Sequence, residues 1–271
     1  MGPWQAMRQH WPEYLMEAFG LGAFMVAAGV AVFILEANGS PLRMWIRDDV
    51  MRRVIIGIAM GGTAVGIIYS PWGQQSGAHI NPAVTLTFLR LGKIKPWDAL
   101  FYILAQFAGG ILGVVLVRLI LGKHFTQAPV SYVVTVPGQD GTAAAFLAEF
   151  LISLGLMLTI LVFMNSARLA RFTGVAAGVL IVVYIIIESP LSGMSMNPAR
   201  TFASAVPADD WAGWWIYYTA PILGMLLAVD TYRLFRLSTT HMCAKLHHPT
   251  HRRCVHCGYV PAHSEPPRGV S

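Results

Sequence analysis

Long stretches of uncharged apolar residues, separated by short polar segments, follow one another along most of this chain. Six of them cover roughly residues 14–35, 54–70, 97–121, 143–164, 173–187 and 213–234. A hydrocarbon core about 30 Å thick needs a helix of about 20 apolar residues to cross it, so the pattern predicts membrane-spanning helices. The fifth run is short and needs its flanks to complete the crossing. Tryptophans stand near several ends: Trp4 and Trp11 before the first run, Trp97 at the third, and Trp211, Trp214 and Trp215 at the sixth. Aromatic side chains gather in this way at the level of lipid headgroups.

Two shorter apolar pieces interrupt the series. Asn81-Pro82-Ala83 opens residues 82–90, and Asn197-Pro198-Ala199 opens residues 198–206, nine residues each. Asn caps a helix with its side-chain oxygen, and Pro suits the first helical position, where a missing N–H is not needed. At 1.5 Å per residue each helix is roughly 13 Å long, less than half of a bilayer core. Two such half-helices can together cross once. An acid also opens the apolar part of runs one and four, Glu17 and Glu149. Three spans and one half-helix therefore occur twice, and an odd number of spans turns the second copy upside down. Inverted repeats with broken helices place a polar site near the midplane, and irregular backbone survives there only when packed in protein or lining a wet cavity.

Composition agrees with that architecture. The chain is 55% hydrophobic and 12% charged, with a mean hydropathy of +0.56, too apolar for an ordinary soluble domain. The amino terminus lacks the features of a cleavable signal and reads as part of the first span. The net charge of +6 is spread over loops and tail, which sets topology rather than binding nucleic acid. Six crossings put both termini on one side. Arg8, Arg90, Lys93, Lys95, Arg168, Arg171, Arg233 and Arg236 make that side the cytoplasm, although the first outer loop, with Arg43, Arg47, Arg52 and Arg53, is unusually basic. No catalytic constellation is visible.

Gly77-Ala78-His79-Ile80-Asn81-Pro82-Ala83-Val84 and Met196-Asn197-Pro198-Ala199-Arg200, with six spans and paired glutamates, resemble the aquaporin and glycerol-facilitator family over about residues 13–237. The resemblance implies an all-α membrane fold of six transmembrane helices and two reentrant half-helices in an inverted repeat. Residues 1–12 would form a cytoplasmic N-terminal segment and 238–271 a cytoplasmic tail. It also implies a homotetramer in the cell membrane, with one pore per subunit. Asn81 and Asn197 would turn NH₂ donors to the lumen, where opposed helix ends repel cations and protons. Arg200 would line the outer constriction, Glu17 and Glu149 would hold the reentrant loops, and His79 would line the cytoplasmic mouth. Counting without gaps, the other filter positions fall on Gly61, Ile185 and Met194, a wider and more apolar set than in strict water channels. Thr201, Ala205, Tyr217 and Tyr218 match the water-channel choice instead. Water is the leading expected permeant, with glycerol or another small neutral solute as the alternative. A secondary transporter, with a buried acid coupling protons, is the competing class. Glu188 reads either as solvated or as a partner of Arg200.

The composition changes after Leu237. Cys243, Cys254 and Cys257 and six histidines lie between residues 241 and 263. Cys254-Val255-His256-Cys257-Gly258 resembles a zinc knuckle, and Cys243 with one of His247, His248 or His251 would complete a tetrahedral S/N set. A redox-active thiol pair is the alternative reading. Reduced thiols fit a cytoplasmic tail. Such a tail would gate, sense metal or recruit a partner.

Overall fold

A computed structural model describes residues 2–235, 243–248 and 254–259. Among the described residues there is no strand. The helices are, in order, α1 (Pro3–Glu36), α2 (Pro41–Trp45), α3 (Asp49–Tyr69), α4 (Pro71–Ser76), α5 (Pro82–Arg90), α6 (Pro96–Leu121), α7 (Lys123–Thr126), α8 (Gly141–Met164), α9 (Thr173–Ile187), α10 (Ser189–Ser192), α11 (Pro198–Ala208) and α12 (Trp214–Leu234). Among the described residues five stretches are long and apolar enough to cross a membrane: α1, α3, α6, α8 and the stretch Ala170–Ile187. The chain is thus a multi-pass, all-α membrane bundle. Over the sixth apolar run α12 forms, 21 residues long with Pro221 inside it.

Local chemistry places the helix starts. Asp48 caps α3 by accepting from Met51 N at 2.7 Å, and Ser70 caps α4 by accepting from Gly73 N at 3.0 Å. Pro71, Pro82, Pro96 and Pro198 each occupy a first helical turn, where proline's missing donor is harmless. Two elements exceed the sequence expectation. α1 starts at Pro3 rather than near residue 13, because its first turns are held from outside. His10 and Tyr14 reach Asp98 Oδ1 of α6 at 2.8 and 2.6 Å. α11 continues to Ala208, through Pro207, before Asp209 ends it in the left-handed conformation.

The long helices pack in pairs through small residues. A Cβ on Gly109 of α6 would lie 2.0 Å from Ala18 O of α1, and one on Gly113 would lie 2.4 Å from Gly22 O. In the second half a Cβ on Gly224 of α12 would lie 2.4 Å from Phe150 O of α8. Backbones this close are the way helices associate in lipid, where apolar side chains gain nothing from leaving the solvent. Large apolar side chains such as Leu112, Leu116, Leu119 and Ile120 of α6 remain exposed on the perimeter, where hydrocarbon would meet them.

The basic first loop also has a structural explanation. Arg52 is buried and bonds Glu36 at 2.9 Å, Asp49 and the carbonyl oxygens of Ile46 and Arg47. Arg43 donates to Glu36 O and Asn38 Oδ1. Both arginines tie the α1–α3 connection together.

Candidate functional site

Two short loops, residues 77–80 and 193–196, lead into the half-helices α5 and α11. Their backbones follow one pattern. Gly77, Ala78 and Ile80 have positive φ (111°, 55° and 41°), as do Gly193, Met194 and Met196 (80°, 55° and 54°). Non-glycine residues avoid this region, at about 1–3 kcal/mol each, unless their surroundings overdetermine it. Each loop is in fact held by a buried glutamate from its own half. Glu17 Oε1 accepts from Ser76 Oγ at 2.7 Å and His79 N at 3.0 Å, and its Oε2 accepts from Ile80 N at 2.5 Å and Gln106 Nε2 at 2.9 Å. Glu149 accepts from Ser192 Oγ, Ser195 N and Met196 N, all at 2.7 Å. Two tyrosines complete the correspondence. Tyr102 O–H donates to Ser76 O at 2.7 Å, and Tyr217 O–H to Ser192 O at 2.6 Å.

The half-helices meet at their N-termini. Asn81 Oδ1 accepts from Ala83 N at 2.8 Å, while its Nδ2 donates to Met196 O at 2.8 Å. Asn197 Oδ1 accepts from Ala199 N and Arg200 N at 3.1 and 3.2 Å, while its Nδ2 donates to Ile80 O at 2.8 Å. Each carboxamide thus spends one N–H on the opposite loop. A second N–H is left for the lumen, since an amide nitrogen carries two.

A cavity of about 600 Å³ runs along the bundle through this point. Its walls come from helical ridges spaced by four residues: Phe24, Ala28 and Val32; Ile56, Met60, Ala64 and Ile68; Ala177, Ile181 and Ile185. Such spacing sets side chains on one helical face. The polar lining is Asn81, Asn197, Arg200 and His79 with the strained loops, and a charged group of Glu36, Arg43, Asp49, Arg52 and Arg53. Pro82, Pro198, Ala83 and Ala199 are buried beneath them and shape the helix starts.

Ile185, Met194 and Arg200 line the cavity, and Arg200 Nη1 donates to Val133 O at 2.8 Å. Gly61 does not line it. A Cβ on Gly61 would lie 2.5 Å from Gly178 O and 2.6 Å from Val182 Cγ2, so this glycine belongs to the α3–α9 contact, and Met60 beside it faces the lumen. Gap-free counting could not see which way the helix turns each residue. Gly61→Phe is therefore expected to lower the unfolding temperature in detergent, because overpacking a tight helix contact destabilises by about 1–3 kcal/mol. A normal melting temperature with an altered glycerol-to-water ratio would put Gly61 in the pore wall.

Glu188 is neither solvated nor paired with Arg200. It is buried and takes a short hydrogen bond from Ser192 Oγ, the hydroxyl that also bonds Glu149. Thr201 is equally internal, bonded to the hydroxyls of Thr135 and Ser195 at 2.7 Å each. Thr201 and Tyr217 brace the second loop rather than face a solute.

His79 is buried in the wall of the cavity. Its ring stacks on Phe88 and bonds Thr85 Oγ1 at 3.1 Å and Ala244 O at 2.8 Å. Because a carbonyl only accepts, Nε2 carries a proton in this arrangement. Ala244 belongs to the tail, whose described residues fold back against the bundle. Cys243, His248, Cys254 and Cys257 bring their ligand atoms within 4.8 Å of one another. Cys243 Sγ lies 3.4 Å from Cys254 Sγ, and His248 Nε2 lies 3.2 Å from Cys257 Sγ. The Cys243 S–H donates to Cys254, which draws the Cys254 thiol far below its usual range and, with burial, pushes Cys243 up. His248 takes the imidazole position of this cluster. His247 sits edge-on to the Tyr69 ring, 5.0 Å between centroids, and His251 lies outside the described residues.

Comparison with known proteins accords with this geometry. A family model described as Major intrinsic protein matches residues 5–232. Aquaporin NIP6-1 of Arabidopsis thaliana is 36% identical over 219 residues, covering 80% of this chain and 68% of its own length. Aquaporin NIP2-3 of Zea mays is 30% identical over 228 residues, covering 83% and 73%. Among solved structures, the aquaglyceroporin from Plasmodium falciparum superposes with a TM-score of 0.69 at 20% identity, over 83% of this chain and 96% of that one.

Proposed function

Because the chain belongs to the major intrinsic protein family, whose members are channels rather than enzymes, we propose that it is a passive facilitator of small uncharged solutes of the glycerol class, water included. The observation that carries this reading is the outer constriction. Ile185, Met194 and Arg200 line the cavity with Met60, and among the described lining residues the only aromatic rings are Phe24 and the His79 imidazole. A pore narrowed by an aromatic and a histidine admits little besides water. This one offers apolar walls to a carbon backbone and one guanidinium to hydroxyl groups. The comparisons support the solute alternative better than the water-led expectation, since the matched structure is described as an aquaglyceroporin. The water-type residues Thr201 and Tyr217 carry no counterweight, because they hold the loop.

In this reading α1, α3, α6, α8, α9 and α12 are six transmembrane helices, and α5 and α11 are the two reentrant halves. Asn81 and Asn197 donate to the passing molecule, while both helix N-termini and Arg200 repel cations and protons. His79 faces the cytoplasmic mouth, both termini lie in the cytoplasm, and the protein assembles as a homotetramer with one pore per chain. The tail cluster takes zinc: three thiolates and one imidazole form a soft S₃N set, the tetrahedral donor group that zinc prefers.

Purified protein in liposomes tests the channel. Glycerol and water fluxes that follow their gradients, with no dependence on a proton gradient, are expected. Strict coupling to protons would make it a transporter, and glycerol exclusion with rapid water flux would restore the water-led reading. Arg200→Val is expected to raise glycerol flux several-fold relative to water and to admit protons, measured with an internal pH dye.

A further inference from the structure

The described tail is seated in the inner mouth of the cavity. Leu246 N donates to Gly77 O at 3.1 Å, His79 bonds Ala244 O at 2.8 Å, Lys245 Nζ donates to Gln74 O at 2.9 Å, and His256 Nε2 to Ser76 O at 2.9 Å. Ala244 is fully buried, Lys245 is 2% exposed and Leu246 5%. Leu246 is itself part of the cavity wall. Gly77 leaves room for this approach, since a Cβ there would lie 2.6 Å from Ala244 O. The carbonyls engaged belong to the last turn of α4 and to Gly77, where the reentrant loop begins.

Polar contacts alone hold this plug poorly. An ammonium buried on one neutral carbonyl is unfavourable without a countercharge. So short a segment also has too little apolar surface to order itself, and small units of this kind need a metal or a crosslink. The four donors of the Cys/His cluster flank the plug in sequence, Cys243 just before Ala244 and His248 just after Leu246, and Cys254-Val255-His256-Cys257 closes over it. Zn–S bonds of about 2.3 Å place tetrahedral ligands just under 4 Å apart, within the spread of the observed cluster, whose pairs run from 3.2 Å up to at most 4.8 Å. Zinc with three thiolates and one imidazole carries a net negative charge, opposite in sign to Lys245.

We infer that the tail is a metal-latched plug: a zinc-class ion on Cys243, His248, Cys254 and Cys257 keeps residues 244–246 in the inner mouth and closes the pore, and loss of the ion opens it. The closure rests on the channel reading above; the latch does not.

The full chain, reconstituted in liposomes with zinc and then exposed to a zinc chelator, tests both. Elemental analysis is expected to find about one zinc per chain, lost in Cys254→Ser/Cys257→Ser. Glycerol and water permeability should rise about tenfold or more on chelation and be high in that variant with or without chelator. Leu246→Ala should keep its zinc yet leak. Amide hydrogen exchange reports the seat independently of flux, and the Leu246 N–H should be protected with zinc and exchange freely without it. Sub-stoichiometric zinc, unchanged Leu246 protection, or opening by reductant instead of chelator would overturn the latch. If protection responds to zinc and no state conducts, the latch stands and the channel reading fails.

Discussion

Glu149→Ala is expected to abolish transport and to leave little folded protein in the membrane. The carboxylate is the acceptor for Ser192 Oγ, Ser195 N and Met196 N, each at 2.7 Å, and it is fully buried. A buried donor left without a partner costs about 1–3 kcal/mol; Ser192 Oγ keeps Glu188 as acceptor, so the two backbone N–H groups make a loss on the order of 2–5 kcal/mol. That loss falls on a loop already carrying positive φ at Met194 and Met196. With its anchor gone, the loop is free to leave this strained path, and the carbonyl of Met196 then no longer meets Asn81. Glu149→Gln separates the lost acceptor from lost volume. The amide fills the same space but presents N–H groups where donors already point, so the variant is expected to fall between alanine and wild type. Solute flux per folded protein, with folded fraction read by detergent size-exclusion, checks the series. Full activity in the alanine variant would mean that the loop holds itself.

Gly109→Val is the second large expectation. A Cβ at this position would lie 2.0 Å from Ala18 O, 2.5 Å from Ala18 C and 2.5 Å from Ala18 Cα. These are backbone atoms and cannot turn aside as a side chain would. α1 and α6 must separate along a contact that Gly22 and Gly113 also make close. Glu17, next to Ala18, would move with α1 and draw its acceptor oxygens away from His79 N and Ile80 N. The cost is on the order of 3 kcal/mol or more, through overpacking and a disturbed hydrogen-bond set. A detergent melting curve is expected to show a large drop, with Gly109→Ala already displaced in the same direction. An unchanged melting temperature for valine would place the helices farther apart than described.

What could be read ahead of the structure followed periodicity and local grammar. Uncharged runs announced the long helices, because lipid demands a continuous apolar surface. Asn81-Pro82 and Asn197-Pro198 announced two helix starts, because capping is a matter of adjacent residues. Other features depend on where the chain goes in space. The inward or lateral aim of Gly61 turns on the rotation of α3 against α9. The early start of α1 rests on Asp98, 88 residues from His10. Tyr102 reaches Ser76 from another helix, 26 residues along the chain. The choice of His248 over its neighbours depends on docking against Tyr69. The tail's seat on Gly77 joins residues more than 160 apart, beyond any spacing rule. Its one local hint was the change in composition after Leu237.

The anchoring glutamates carry one more consequence. Glu17, Gln106 and Tyr102 all precede residue 122, and they bond a loop within the same stretch. Glu149 and Tyr217 do the same for the later loop, and the two loops are then joined by the bonds of Asn81 to Met196 O and of Asn197 to Ile80 O. The first reentrant turn therefore has its carboxylate and tyrosine anchors while the ribosome is still making the second half, and gains the bond from Asn197 to Ile80 O only afterwards. Expressed as two separate polypeptides cut between α7 and α8, each piece would carry its own turn, ready-set, to the meeting of Asn81 with Asn197.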